Sequence, residues 1–244
     1  MTVELINKRV NVLDRGFVEL QDVMPHPMTG ITPDNAIVAA ARTSFLGESK
    51  GAEQDRKLLH YLVRNKHTSP LEQVELKFRL KMPLIAWWQQ VRHRTASLNL
   101  QSGRYVPFEE DEFYVPSVWR KQSPSNKQAS LGELESDEGA RLTQDLIAHY
   151  QRGYELYRKA LDMGVAREQA RLFLAGFSVY YTGIVKWDLH NLFHYLHLRM
   201  DSDAQYEIRV YAETIYREFV KLLCPIASEA FEQYILNVPT TTST

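Results

Sequence analysis

The 244-residue sequence has one cysteine, no long apolar run and almost no net charge. A single thiol, Cys224, excludes an internal disulfide and suits a reducing compartment. Since no run of about 18 apolar residues occurs, we expect no membrane-spanning helix and no membrane partner. Residues 1–12 lack the apolar core of a signal peptide. The formal net charge of -1 gives no support to nucleic-acid binding, and we expect a cytoplasmic protein.

The pattern of apolar residues predicts strands early in the chain and helices later. Residues 3–24 are expected to form two short strands joined by a turn near residues 14–16. Thr32 and Pro33 predict a helix start, because a hydroxyl caps helices well and proline suits the first helical position. Strict alternation of apolar and charged residues predicts a strand over residues 74–81.

The rest of the chain is predicted mainly from helical spacing. Pro83 is expected to open a helix that runs to Val91, whereas residues 94–108 and 120–136 are expected to be irregular. Helices are predicted over residues 138–161, 165–184, 187–199, 203–223 and 225–236. This order indicates an α+β fold, as one helix-rich domain over residues 1–238 with a small antiparallel sheet. Residues 239–244 are predicted to form a disordered tail.

A basic segment carries the strongest chemical signal. Residues 76–108 contain no Asp or Glu and six basic residues, which are Lys77, Arg79, Lys81, Arg92, Arg94 and Arg104. Arginine presents a planar fork of donors that suits phosphate, and Gly103 allows a ligand to approach the backbone closely. The segment therefore suits a nucleotide, although a basic surface loop or an RNA-contacting patch would use the same residues.

Three histidines, His190, His194 and His197, share one face of a predicted helix. Two histidines four residues apart can bind zinc. However, no glutamate follows His190 as in the metalloprotease motif, and no cysteine is nearby. We therefore expect no metal site, and we expect these histidines to hydrogen-bond a polar ligand or the core.

The segment after these histidines predicts the start of another helix. Ser202 is expected to cap it, and Glu207 and Arg209 are expected to be surface charges on it. Arg199 ends an apolar helix, so we expect its guanidinium to be partly desolvated.

Residues 92–104 resemble the signature of flavin-dependent thymidylate synthases, Arg-His-Arg-x-x-Ser-x-Asn-x-x-Ser-x-Arg, at every fixed position. Residues 40–45, 67–72, 170–174 and 196–208 also resemble this family. The resemblance implies reductive methylation of dUMP to dTMP, with 5,10-methylenetetrahydrofolate as methylene donor, FAD and NADPH as hydride source, and no cysteine nucleophile. It also implies the α+β fold of the family and a homotetramer with shared active sites.

The resemblance assigns roles to single residues. Arg199 is the catalytic candidate, expected to hydrogen-bond and polarise the uracil. The residues expected at dUMP are Gln89, Arg92, Leu100, Gln101, Ser102, Gly103, Arg104, Arg171 and Arg199. The residues expected at FAD are Ser44, His67, Ser69, Glu72, Arg92, His93, Arg94, Asp188, His190 and His194.

Three residues depart from the family pattern. Leu100 stands where many members have a glutamate, Asp188 where an asparagine is usual, and Trp88 where a basic residue is common. Two other functions remain open. The departures at Leu100 and Asp188 leave open a flavin reductase that lacks methyl transfer, and the basic stretch leaves open a nucleic-acid-binding protein that uses residues 77–104.

Overall fold

The computed structural model describes residues 3–127 and 129–237, and the predicted tail at residues 239–244 lies outside them. The strands are β1 (Arg9–Val12), β2 (Gly16–Met24), β3 (Glu75–Pro83), β4 (Ser97–Leu100), β5 (Arg120–Gln122), β6 (Ser130–Glu133) and β7 (Tyr180–Asp188). The helices are α1 (Pro33–Thr43), α2 (Ala52–Arg64), α3 (Leu84–Gln90), α4 (Ser136–Asp162), α5 (Arg167–Ala170), α6 (Leu189–Arg199), α7 (Tyr206–Ile215), α8 (Lys221–Leu223) and α9 (Pro225–Tyr234). This arrangement confirms the α+β prediction.

An antiparallel sheet in the order β1-β2-β3-β7-β4 organises the fold. β3 lies at its centre and alternates buried Leu76, Phe78 and Leu80 with exposed Lys77 and Arg79. The predicted N-terminal strand pair and the predicted strand at residues 74–81 are both confirmed.

The apolar face of the sheet packs against the C-terminal helices. The ring of Phe78 meets the rings of Trp187 and Phe219 edge-on, at 6.2 and 5.7 Å between centroids. Phe193 of α6 stacks on Phe231 of α9 at 4.3 Å. A smaller apolar cluster, which includes Phe108, Phe113, Tyr150 and Tyr157, lies where α4 packs on chain segments that precede and follow it. Among the described residues, no helix combines the length and hydrophobicity that a membrane span requires.

The predicted helix over residues 165–184 is wrong. Only α5 is helical there besides two short turns, and the chain then enters β7. β7 contains aromatic and β-branched residues that favour strands, and it pairs with β3 along one edge and with β4 along the other. This double pairing brings together segments distant in sequence, so helical spacing within one segment does not reveal it.

Two segments predicted to be irregular contain strands. β4 lies within residues 94–108, and β5 and β6 form a two-stranded sheet within residues 120–136. β6 is exposed throughout, and β4 is exposed at three of its four positions. Exposed strands have no buried face to produce an alternating pattern, and this explains why the sequence does not reveal them.

Two helix starts also differ from the prediction. α6 begins at Leu189, where the Asp188 carboxylate accepts from the Asn191 backbone N–H. α7 begins at Tyr206, with Gln205 rather than Ser202 at the N-cap position. The start of α1 is as predicted, because Thr32 accepts from the Asn35 backbone N–H and Pro33 takes the first helical position.

Candidate active site

The exposed face of α6 contributes to three neighbouring clefts. The first, the histidine cleft, has a volume of about 390 Å³ and lies between α6 and the end of α2. His190, His194 and His197 all line it, as their helical spacing predicts, and Lys66 and Thr68 face them. The sequence interpretation missed Lys66 and Thr68, although both adjoin His67 in the family-like stretch.

The other two clefts meet at Arg199. The Arg199 cleft, about 530 Å³, is lined by Gln89, His197, Leu198, Arg199 and four residues of the connection between α6 and α7. The signature cleft, also about 530 Å³, is lined by Arg92, His93, Arg94, Thr95, His194, Leu198 and Arg199. The structure therefore brings the Arg-His-Arg segment next to Arg199.

A direct contact joins the two motifs. Arg199 Nε donates to His93 Nε2 at 2.8 Å, and Arg199 Nη2 lies 3.5 Å from the carbonyl oxygen of Gln89. Burial and the positive charges of Arg199 and His194 lower the pKa of His93 to about 4. Burial also lowers the pKa of Arg199, in line with the predicted partial desolvation. Near neutral pH the pair is thus a neutral imidazole and a charged guanidinium.

Buried aromatic rings support this pair from below. Tyr195 is fully buried in α6, and its ring meets that of His93 edge-on at 4.9 Å. Trp187 lies against Tyr195 at 5.2 Å. Since close-packed rings leave few alternative rotamers, the orientation of His93 follows from the core beneath it.

Leu100 and Gln101 lie at the edge of the sheet rather than beside Arg199. Both line a cleft of about 500 Å³ that runs over β4 and β7. Gln101 pairs with Thr182 through its backbone N–H, at 2.8 Å, and through its side-chain oxygen, at 3.2 Å. A Cβ on Gly183 would come within 2.5 Å of the Leu100 side chain. Leu100 therefore packs inward over this glycine, and a glutamate there would lose such packing.

Ser102, Gly103, Arg104 and Arg171 belong to a further group. Arg104 Nε lies 3.1 Å from a Glu168 carboxylate oxygen, and Arg171 Nε donates to the Glu168 carbonyl at 3.4 Å. Arg167 donates to the Tyr105 carbonyl at 2.6 Å. The sequence interpretation missed Arg167 and Glu168. Both belong to the charged run around Arg171, which is the signal in the sequence. At the end of the signature, Glu168 contacts Arg104 and Arg167 contacts the Tyr105 carbonyl.

The residues expected at dUMP thus fall into separate groups within one chain. Gln89, Arg92 and Arg199 lie around the Arg199 and signature clefts. Arg104 and Arg171 lie together at Glu168. Within the described residues, neither the Arg199 cleft nor the signature cleft is lined by Arg104 or Arg171.

The remaining residues expected at FAD are spread around the histidine cleft and α1. Ser44 is exposed at the end of α1, and His67, Ser69 and Glu72 are exposed just before β3. Asp188 is engaged by Asn191, which donates from its backbone N–H at 2.9 Å and from its side-chain amide at 2.6 Å. The unusual aspartate therefore serves as the cap of α6.

Glu207 was expected to be a surface charge, and this prediction is wrong. Its side chain is buried, with 4% of the residue exposed, and it faces Arg120 of β5 across a distance of 2.6 Å. Both residues line a further cleft of about 570 Å³, the hairpin cleft, under β5 and β6. The β5–β6 pair brings Arg120 to this place, and its exposed strands gave no signal in the sequence. Arg209 is half-buried and donates to the Ser202 carbonyl at 2.8 Å.

Neither a metal cluster nor an accessible thiol is found among residues 3–127 and 129–237. No group of three or more His, Cys, Asp or Glu side chains in these ranges is placed to hold a metal ion. Cys224 is fully buried, and burial raises the pKa of its thiol well above the ordinary value. The thiol is therefore an apolar part of the core.

Comparisons with known proteins agree with the fold and the signature. Residues 28–226 match the family described as thymidylate synthase complementing protein. The flavin-dependent thymidylate synthase of Thermus thermophilus is 46% identical over 227 residues, which cover 93% of this chain and 79% of that protein. That of Dictyostelium discoideum is 43% identical over 228 residues, which cover 92% and 74%.

A solved structure is also similar to this chain. The UMP/dUMP methylase PolB from Streptomyces cacaoi, bound with 5-Br dUMP, has a TM-score of 0.81 and 30% sequence identity, with 93% of this chain and 98% of that chain covered. The fold and the matched sequences define an enzyme of the methyltransferase class. The chain belongs to the family of flavin-dependent thymidylate synthases.

Proposed function

We propose that this chain methylates dUMP to dTMP, with 5,10-methylenetetrahydrofolate as the methylene donor and FAD and NADPH as the hydride source. Membership of the family supports this reaction. The observation that carries the proposal for the site is the Arg199–His93 contact, which joins the signature segment to the end of α6 between two clefts.

The side chains around the histidine and signature clefts fit FAD, which has two phosphates and two flat ring systems. Arg92, Arg94 and Lys66 supply positive charge for the phosphates, while Thr68 and the α6 histidines supply hydrogen-bonding groups beside apolar residues. We place Ser44, His67, Ser69 and Glu72 at the rim of this site. When bound, the reduced flavin would supply the hydride that completes the methyl group.

We assign the catalytic role to Arg199. Its guanidinium is half-buried, so solvent screens its charge less than at the surface. A donor fixed in this way can bind a uracil carbonyl oxygen and stabilise the negative charge that develops on the ring when carbon 5 becomes nucleophilic. His93 holds the guanidinium by accepting from Nε. Cys224, buried in the core, takes no part.

We assign the phosphate and sugar of dUMP to Ser102, Gly103, Arg104 and Arg171. Arg104 and Arg171 suit a phosphate because each supplies a guanidinium group, and both contact Glu168, Arg104 at its carboxylate and Arg171 at its backbone carbonyl. Since this group lies apart from Arg199 within one chain, we propose a homotetramer in which one chain supplies the Arg199 group and another the Arg104 group. A reducing compartment such as the cytoplasm suits its single thiol.

Tritium release from dUMP labelled at carbon 5 tests the reaction. We expect the purified protein to bind FAD and to release tritium only when NADPH and methylenetetrahydrofolate are both present. A flavin reductase without methyl transfer would oxidise NADPH and release no tritium. That result would overturn the proposed function, and so would a protein that fails to bind FAD.

A further inference from the structure

The connection between α6 and α7 forms one wall of the Arg199 cleft. Four of its residues line the cleft, and they are Asp201, Asp203, Ala204 and Gln205. Its first half is closed by a local turn, because the Ala204 N–H donates to the Asp201 carbonyl at 3.0 Å. Its second half ends at Gln205, whose side chain lies between the Arg199 cleft and the hairpin cleft. The position of this wall therefore depends on what holds Gln205.

Glu207 holds Gln205 from the buried side. The amide nitrogen of Gln205 donates to Glu207 Oε2 at 3.0 Å. The other oxygen of Glu207 accepts from Arg120 at 2.6 Å and from the Tyr114 hydroxyl at 3.2 Å. Because a carboxylate accepts hydrogen bonds and never donates them, Glu207 binds the amide nitrogen of Gln205 and not its oxygen. Glu207 therefore also sets the orientation of the Gln205 amide beside the cleft.

The electrostatics of Glu207 agree with a fixed, charged acceptor. Burial works to raise the pKa of Glu207, but the hydrogen bonds from Arg120 and Gln205 outweigh it, and the net shift is downward. A buried ion pair adds little net stability compared with apolar packing of the same volume. The arrangement of three donors around one carboxylate therefore contributes mainly a defined geometry next to the cleft.

We propose that Glu207, together with Arg120, is a positioning residue for the reaction, and that it acts through Gln205 to fix the wall of the Arg199 cleft. The kinetic consequence rests on the proposed function, whereas the structural consequence rests on the contacts alone. Each consequence has its own experiment.

Hydrogen exchange tests the structural consequence. Glu207→Gln keeps the side-chain volume and removes the charge, and we expect amide exchange across residues 200–205 to become about tenfold faster, since a hydrogen bond to a charged group contributes on that scale. Glu19→Gln is the matched control. Glu19 is also buried, with 8% exposed, and accepts from Arg9 at 2.6 Å, but it lies on β2 and lines neither the Arg199 cleft nor the hairpin cleft. Unchanged exchange at residues 200–205, or an equal increase in both variants, would overturn the proposal.

A double-mutant cycle tests the kinetic consequence. We expect Glu207→Gln and Gln205→Leu each to lower kcat/KM for dUMP about tenfold. The double variant should lose no more than either single variant, because all three variants disrupt the same Gln205–Glu207 hydrogen bond. Flavin content should stay at the wild-type level. Additive losses of about a hundredfold would show that Glu207 does not act through Gln205. A wild-type protein that releases no tritium would refute the proposed function, while hydrogen exchange would still decide the positioning role.

Discussion

Arg199 depends on a histidine that stays neutral. An imidazole nitrogen accepts a hydrogen bond from a guanidinium only while it carries no proton. Because burial and the neighbouring cations lower the pKa of His93 to about 4, this acceptor persists across neutral and mildly acidic pH. The positive charge at this point therefore stays on the arginine, where a developing negative charge on a substrate can use it.

Replacing Arg199 by methionine should raise the pKa of His93. Methionine keeps the apolar stem and much of the volume, but it removes both the repulsive charge and the hydrogen bond that favours neutral imidazole. An NMR titration of the histidine rings measures the change from the expected midpoint of about 4. Arg167→Met is the control, since Arg167 contacts backbone carbonyls at Tyr105. An unchanged His93 midpoint in Arg199→Met would contradict the role given to this contact.

Arg199 and Arg104 should affect different kinetic constants. Arg199→Ala should retain FAD and lose about a thousandfold in kcat, because it removes the donor that we propose for the reacting ring. Arg104→Ala should mainly raise KM for dUMP, because a phosphate contact acts equally on ground state and transition state. Steady-state tritium release and flavin absorbance separate the two effects. Normal turnover in Arg199→Ala, or an unchanged KM in Arg104→Ala, would remove that residue from its assigned role.

At the level of secondary structure, the sequence predicts the helices and strands that are marked by residues close together in the chain. Thr32 and Pro33 mark the start of α1, and the alternation in β3 marks a strand with one buried face. β7 was predicted as helix and β4 as irregular, since both form through pairing with distant segments. Local periodicity does not carry that information.

The candidate site divides in the same way. The signature and the helix that ends in Arg199 can be read from the sequence, but their contact joins residues 106 positions apart. Glu207 looks like a surface charge because its burial depends on Arg120 from an exposed strand pair. Asp188 caps α6 in the structure, and its predicted place at FAD stays a prediction. The sequence does not show which distant residues the tertiary fold brings into contact.

The junction between α1 and α9 should be sensitive to Asp34. This buried carboxylate accepts from the backbone N–H groups of Ile226 and Ala227, at 2.9 and 3.0 Å, and so caps α9 across the fold. Asp34→Ala leaves both donors unsatisfied, and we expect it to lower the free energy of unfolding by about 2 kcal/mol. Asp34→Asn keeps an acceptor and should cost less. Urea unfolding measures both, and equal values for the alanine variant and the wild type would exclude the capping role.

The pH dependence of that junction has a definite sign. Burial raises the pKa of Asp34 in spite of its two backbone hydrogen bonds and the charge of Arg56. A raised pKa means that the folded chain binds the proton on Asp34 more tightly than the unfolded chain does. Protonation of Asp34 therefore stabilises the fold, and this contribution is complete below the ordinary pKa of 3.8. It is lost as pH rises through the raised pKa. The stability of the wild type relative to Asp34→Asn should therefore fall between pH 3.8 and neutrality, and unfolding curves that show a rise would contradict this assignment.

At the level of the whole molecule, the surface beside the Arg104 group has exposed apolar side chains. Tyr105 and Leu172 are both 81% exposed, and Phe177 is 63% exposed. The first two directly follow Arg104 and Arg171 in the sequence. Apolar side chains around a polar group are typical of a surface that meets a partner. In the proposed homotetramer we expect a second copy of the chain to cover them and to bring the Arg104 group to the Arg199 group of its neighbour.

Mixed oligomers test whether the site is shared. Arg199→Ala chains and chains with both Arg104→Ala and Arg171→Ala should each be nearly inactive at low dUMP. When the two are co-expressed equally, random pairing leaves both groups intact in about a quarter of the sites, so about a quarter of the wild-type activity should return. Co-expression of Arg199→Ala with Arg199→Met is the control and should restore nothing. If the first mixture is as inactive as the two variants on their own, the Arg199 and Arg104 groups act within one chain. The two groups, which line different clefts in the structure, would then have to approach each other by movement within that chain.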